Sequence, residues 1–168
     1  PLFLNNLLRR RYSLIQHPQM PIVPAKLTDA STLTDISFRS KTYWGYSPEQ
    51  MEIWRDDLTI TQDYIRSHEV FILIIDNQMV GYYSYQTFTH GKAHLDNLFI
   101  LPEQIGKGYG KILMQDFLQR IKNDGYRIAT LNSDPHAEAF YLKLGFRVIG
   151  QFATSIEGRF LPVMEREL

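Results

Sequence analysis

Cysteine is missing altogether from the 168 residues. Its absence removes disulfides, thiolate zinc sites and a cysteine nucleophile together, and fits a reducing, cytoplasmic compartment. There is no excess of either charge: Lys plus Arg is 18 and Asp plus Glu is 18. Without a basic field, nucleic acid is not the default partner. No apolar run approaches the ~20 residues that a membrane span requires, so no membrane partner is expected. Internal repeats and low-complexity segments are lacking too. What the chain does have is core material, 44% hydrophobic and 13% aromatic residues, enough for one domain.

The first stretch, "PLFLNNLLRRRYSLIQHPQ", places its apolar residues before Arg9, Arg10 and Arg11. A signal peptide has the reverse order. Residues 1–20 are therefore read as an extension outside the fold, and 21–168 as a single domain. A sharper alternative makes the extension an arm that packs on a partner subunit through Leu4, Leu7 and Leu8.

Periodicity then supplies the elements. Residues 22–27 read as a first strand. Thr28 or Asp29 can cap a helix to about Ser40, with Ala30, Leu33, Ile36 and Ser37 on one face. Gly45 breaks the chain, Ser47-Pro48 restarts a helix, and 61–67 are helical again. Two β-rich runs at 69–76 and 78–88 flank Asp76-Asn77, a hairpin signal. Residues 92–101 form another strand. A helix runs to about Asp124, 126–132 is a strand, and Asp134-Pro135 opens a short helix ended by Gly145. Two last strands are joined around Glu157-Gly158. Tyr82, Tyr83 and Tyr85 are expected to decorate the sheet. The order β α α β β β α β α β β belongs to a mixed α/β sheet, not to a doubly wound parallel fold.

Gly106, Gly108 and Gly110 alternate directly before a helical pattern that carries Leu113, Phe117 and Ile121. Unpaired N–H groups at a helix start, the helix dipole and the absence of Cβ atoms together suit a phosphate. Lys107 and Lys111 add positive charge. A nucleotide-hydrolysing P-loop would need Ser or Thr after Lys111, where this chain has Ile112. The dinucleotide fingerprint has neither the right glycine spacing nor the right place in the element order.

The stretch "LDNLFILPEQIGKGYGKILM" resembles the acetyl-CoA-binding motif of the GNAT N-acetyltransferase superfamily. "DPHAEAFYLKLGFRVIG" resembles that family's second signature, in the right order and at about the right distance. The resemblance covers residues 21–168. Two positions depart from the pattern: Ile105 stands where Gln or Arg is usual, and Asp134 where Asn is usual. The fold it implies is α/β (α+β), a mixed, mostly antiparallel sheet of about seven strands flanked by about four helices.

The resemblance also implies roles. Backbone amides of Ile105, Gly106, Lys107, Gly108, Tyr109, Gly110 and Lys111 would hold the pyrophosphate of acetyl-CoA. Leu98, Phe99 and Ile100 would run beside its pantetheine, with the Leu98 N–H on the thioester carbonyl and Ile100 on a pantetheine amide. Tyr141 matches the tyrosine that protonates the leaving thiolate. A phenol titrates near ~10 and a thiol near ~8.5, so the phenol can donate there. Strand alternation puts His94, Asp96, Leu98 and Ile100 on one face. Asp96 or His94, acting through water, would then take the proton of the attacking amine. Trp44, Tyr46 and Glu157 would shape the acceptor pocket.

The implied activity is transfer of acetyl from acetyl-CoA to a primary amine of a small molecule or peptide, in a ternary complex and with no metal. The alternative reading is a non-catalytic acyl-CoA-binding sensor or interaction module. A homodimer is the family's common habit.

Overall fold

The computed structural model describes residues 21–154, 156 and 158–168. The N-terminal arm with Leu4, Leu7 and Leu8, and the candidate Glu157, lie outside the described residues. Strand β1 (Ile22–Pro24) leads through a tight turn into helix α1 (Ala30–Thr42). Leu33, Ile36, Ser37 and Ser40 form the buried face of α1. Helix α2 (Pro48–Ile53) starts where Ser47 Oγ accepts the Gln50 N–H at 3.2 Å. Trp54 and then the extended residue Thr59 interrupt helicity. The stretch expected as two helices therefore holds three short ones: α2, α3 (Arg55–Leu58) and α4 (Gln62–Ser67).

Strands β2 (Glu69–Ile75) and β3 (Gln78–Phe88) form a hairpin. Its turn places Asp76 at φ 48° and Asn77 at φ 61°, the left-handed pair that matches strand twist. Next come β4 (Lys92–Ile100), α5 (Tyr109–Asn123) and β5 (Ile128–Asn132). Helix α6 (Glu138–Lys143), β6 (Arg147–Ala153) and β7 (Phe160–Glu167) complete the fold. The described residues thus contain six α-helices, not about four, because the helical regions are short and interrupted. The seven strands lie in the order β1-β2-β3-β4-β5-β7-β6. Every pairing is antiparallel except β4 with β5.

Helices cover both faces of the sheet. Leu113, Met114, Phe117 and Ile121 of α5 pack with Leu73, Tyr83, Tyr85 and Leu95. Leu33 and Ile36 of α1 pack with Ile72 and Tyr82 on the other face. The three tyrosines expected to decorate the sheet are core residues, at 0%, 0% and 3% exposure for Tyr82, Tyr83 and Tyr85. Hydrogen bonding makes their burial tolerable: Tyr82 Oη meets Ser37 Oγ at 2.6 Å, and Tyr83 Oη donates to Asp116 at 2.6 Å.

Two features of β4 position the site. Ser84 pairs with Asn97 and Tyr85 with Leu95, which leaves Asp96 as the extra residue of a β-bulge. The extra residue reverses the alternation beyond it. Ala93, Leu95, Leu98 and Ile100 all pack in the α5 layer, whereas Phe99 packs in the α1 layer. His94 and Asp96 therefore do not share a face with Leu98 and Ile100, as unbroken alternation predicts. The second feature is a divergence. Only Lys92 to Leu95 pair with β5, at Ile128 to Leu131. Beyond that point β4 stays with β3, while β5 continues with β7.

Candidate active site

A cleft of about 740 Å³ opens where β4 and β5 part. One wall is β4 from Asp96 to Ile100; Asn132, Phe140 and Tyr141 line the other. The glycine turn closes one end, and Trp44, Trp54 and Arg159 line the other.

At the glycine turn, Gly106 and Gly108 have φ of 86° and 85°, left-handed values that side chains disfavour. A Cβ added at either would meet nothing within 4 Å, so both glycines face open space. The ladder of α5 begins with the Ile112 N–H donating to Gly108 O at 3.2 Å. The N–H groups of Tyr109, Gly110 and Lys111 come before it, as at any helix start. Not all seven amides expected at an anion are available. Ile105 N–H donates to Pro102 O at 3.2 Å and Lys107 N–H to Gln104 O at 3.4 Å. The Lys107 ammonium is also engaged, by the Gln104 amide oxygen at 2.9 Å. The fit to a pyrophosphate thus rests on Gly106, Gly108, Tyr109, Gly110 and Lys111, all of which line the cleft.

The upper half of β4 offers a free backbone edge. Leu101 N–H donates to Val80 O at 2.9 Å, toward β3. Alternation along the strand then turns the N–H groups of Leu98 and Ile100 away from β3, to the side where β5 has left. Phe99 O points the other way, 2.6 Å from where a Cβ on Gly81 would stand. An extended, amide-bearing chain such as pantetheine fits this open edge as an added strand would.

Tyr141 projects from α6 into the cleft between Phe140 and Phe146 rings, at 5.1 and 5.8 Å. Burial first, and the Asp134 carboxylate second, raise its pKa, so the phenol stays protonated at neutral pH. Asp96 lines the cleft at the bulge. Its carboxylate is about one-fifth exposed and 3.9 Å from His68 Nε2. Burial raises the Asp96 pKa against the opposing pull of Gln86, His94 and His68. His94 is not among the cleft-lining residues. Its Nδ1 lies 2.9 Å from Thr130 Oγ1, and burial lowers its pKa, partly offset by Asp96.

The far end holds a polar cluster that the sequence did not announce. The Asp134 carboxylate caps the turn before α6 by accepting the His136 N–H at 3.0 Å. It also takes the Lys41 ammonium and the Tyr46 hydroxyl, the latter at 2.9 Å. Arg159 Nη2 stands 3.6 Å away. Burial alone would raise Asp134, but Lys41, the His136 amide and Tyr46 outweigh it and hold the carboxyl below its ordinary range. Tyr46 is pushed up to about 12 by burial and by that carboxylate.

Trp44 stacks on His136 at 5.2 Å and lines the cleft. Tyr46 lies one layer behind, edge-on to Trp54 at 4.8 Å. Lys41, Trp54 and Arg159 were missed as site residues. Lys41 directly precedes the aromatic stretch, and Arg159 sits in the hairpin already suspected of shaping the pocket; those were the available signals.

The comparisons agree with this geometry. Residues 45–165 match the family model described as an acetyltransferase (GNAT) domain. Among solved structures, a GCN5-related N-acetyltransferase from Rhodopseudomonas palustris superposes with a TM-score of 0.72 at 23% identity, covering 88% of this chain and 95% of that one. The PaiA N-acetyltransferase of Thermoplasma acidophilum, in complex with coenzyme A, gives 0.73 at 22% identity, over 88% and 98%. The ribosomal-protein-S18-alanine N-acetyltransferase of Escherichia coli gives 0.66 at 19%, over 88% and 92%. These similarities extend to the fold; the family match covers most of the chain. The chain belongs to the GNAT acetyltransferase family, and by that membership is an acetyl-CoA-dependent acyltransferase.

Proposed function

We propose that the chain transfers the acetyl group of acetyl-CoA to a primary amine by direct attack within a ternary complex. One observation carries the reading: the free edge of β4, Tyr141 and Asp96 line a single cleft that ends at the glycine turn. The thioester supplies the activated acyl group and a thiolate leaving group. The chain supplies the rest. Amides of the glycine turn and the start of α5 anchor the pyrophosphate. The Leu98 N–H stabilises the oxyanion that develops on the acetyl carbonyl. Asp96 receives, through water, the proton that the amine sheds on attack; its raised pKa makes it a better base than an ordinary aspartate. Tyr141 donates its phenolic proton to the departing sulfur and regains one from solvent. His94 does not line the cleft, so Asp96 is taken as the base. No cysteine is present to carry an acyl-enzyme through a thiol.

A screen of primary amines with acetyl-CoA, read by thiol release, tests the proposal beside calorimetric titration with acetyl-CoA. Turnover with at least one amine is expected. Tight acetyl-CoA binding with no turnover on a broad panel would instead favour the acyl-CoA-binding module.

A further inference from the structure

The acceptor end of the cleft carries more positive charge than its internal pairing consumes. Lys41 and Arg159 both converge on Asp134, two cations on one carboxylate. The lone pairs of that carboxylate are already used by Lys41, Tyr46 and the His136 N–H. Arg159 Nη2, at 3.6 Å, makes no hydrogen bond, and it is the one buried side-chain polar atom left so among the described residues. The guanidinium is nonetheless held in place. It stacks on Trp54 with 4.6 Å from its central carbon to the ring centre. Its backbone is fixed by the Arg159 N–H to Ile156 O bond at 3.0 Å and the Thr154 N–H to Arg159 O bond at 3.0 Å. Arg159 lines the cleft and shares the Asp134 carboxylate with Lys41, so its guanidinium is placed to take a further acceptor atom from outside the chain.

The other carboxylates that line the cleft are Asp57, on α3, and Asp96, on β4. No salt bridge joins either one to Lys41 or Arg159 among the described residues. Lys41 and Arg159 thus stand together at the Asp134 end of the cleft, while Asp96 lines it at the bulge, two residues before Leu98. Trp44 and Trp54 supply apolar walls between. An ammonium drawn to Asp96 and an anion drawn to Arg159 can belong to one molecule.

We propose that the acceptor is a small amine that also carries a carboxylate, of the amino-acid class, and that Arg159, backed by Lys41, receives that carboxylate. The planar guanidinium matches a carboxylate as a paired donor, which a lysine does not. This rests on the acetyltransferase reading, since it names the acceptor for the same cleft.

The test uses binding as well as turnover. Both tryptophans of the chain line the cleft, so their fluorescence reports its occupancy. With CoA present, N-acetylated amino acids, their carboxamides and N-acetylated diamines are titrated into the wild-type chain and into Arg159→Gln. The wild type is expected to bind the acids at least about tenfold more tightly than the carboxamides, a difference of about 1.4 kcal/mol. Arg159→Gln is expected to lose that preference, and Arg159→Lys to recover it only in part. CoA affinity of the variants, within about twofold of wild type, shows that the fold is intact. Equal binding of acid and carboxamide, tighter binding of the diamines, or no binding of the acids at millimolar concentration overturns the proposal. Turnover of the matching free amines is measured in parallel. If no amine is turned over, the acetyltransferase reading fails, while the binding comparison still decides the role of Arg159.

Discussion

Asp96 is the residue of β4 with no partner opposite it on β3, and burial holds its pKa above the ordinary 3.8. The sign of the effect on stability follows. Below the unfolded value both states are protonated and the site costs nothing. As pH rises from there through the raised folded value, the fold retains a proton that the unfolded chain has lost, so a destabilisation grows and then stays constant. Asp96→Asn removes the charge and keeps the shape. Urea unfolding is expected to find it more stable than wild type at pH about 7.5, with the gain shrinking toward pH about 4. A difference that does not vary with pH would mean that burial of the charge is not what strains this position. The same change is expected to slow turnover by about 10²-fold or more, the usual range for a lost general base. Tyr141→Phe makes the complementary case. Its hydroxyl has no hydrogen-bond partner among the described residues, so stability is expected to stay within about 0.5 kcal/mol. Turnover is expected to fall by about 10²-fold while acetyl-CoA affinity holds within about twofold. Unchanged kcat would remove the phenol from the chemistry. Both candidates could be named from the sequence, one with His94 on a strand entering the glycine motif and one within the second signature. Lys41 and Arg159 could not, because their neighbours in sequence, an aromatic stretch and a hairpin, point to the region but not to these two side chains. Lys41 meets Asp134 across 93 positions of sequence, and only the folded chain brings that contact about.

Helices and strands were legible where period and punctuation coincide: Ser47-Pro48 at the start of α2, Asp76-Asn77 in the β2–β3 turn, Gly145 after α6. The bulge in β4 was not. A bulge is defined by two strands at once, and no glycine or proline marks it in "KAHLDNLFI". One surplus residue exchanged the faces of everything after it, which is why the alternation argument placed Leu98 and Ile100 beside His94. The direction of the Leu98 N–H is unaffected, because it is set by pairing with β3 and not by side-chain face. That pairing depends on close approach at Gly81, opposite Ile100. A Cβ there would stand 2.6 Å from Phe99 O and 2.5 Å from Ile100 Cδ1. The side chain can swing aside, but the carbonyl can move only with the strand. Gly81→Ala is expected to cost about 1–3 kcal/mol in urea unfolding. It is also expected to raise the KM for acetyl-CoA, because the strand it displaces carries the Leu98 and Ile100 amides. A variant as stable as wild type would mean that β4 yields easily, and would weaken the case for a rigid pantetheine edge.

Taken whole, the sheet is continuous from β1 to β6 only as far as Leu95 and Leu131. Above that level it is two arms, joined across the cleft by side chains: Asp134 on the β5 side ties to Lys41 and Tyr46 of the α1–α2 region. The element order was readable from the chain because each element is local. The parting of the arms was not, since it is a missing set of strand pairs. A ligand lying between the arms binds the folded chain and has no counterpart in the unfolded one, so it must raise stability by mass action. At a concentration of 100 Kd the gain is about 2.7 kcal/mol. For a chain of this size each kcal/mol moves the midpoint by about 2–4 °C, which predicts a rise of about 5–10 °C with acetyl-CoA in a thermal melt. ATP separates the two halves of the site. It offers phosphates to the glycine turn but has no pantetheine to lie along β4, so at matched concentration its shift is expected to be less than half as large. An equal shift with ATP would confine binding to the glycine turn and leave the free edge of β4 without its assigned partner. No shift with acetyl-CoA at millimolar concentration would remove the donor from this cleft altogether.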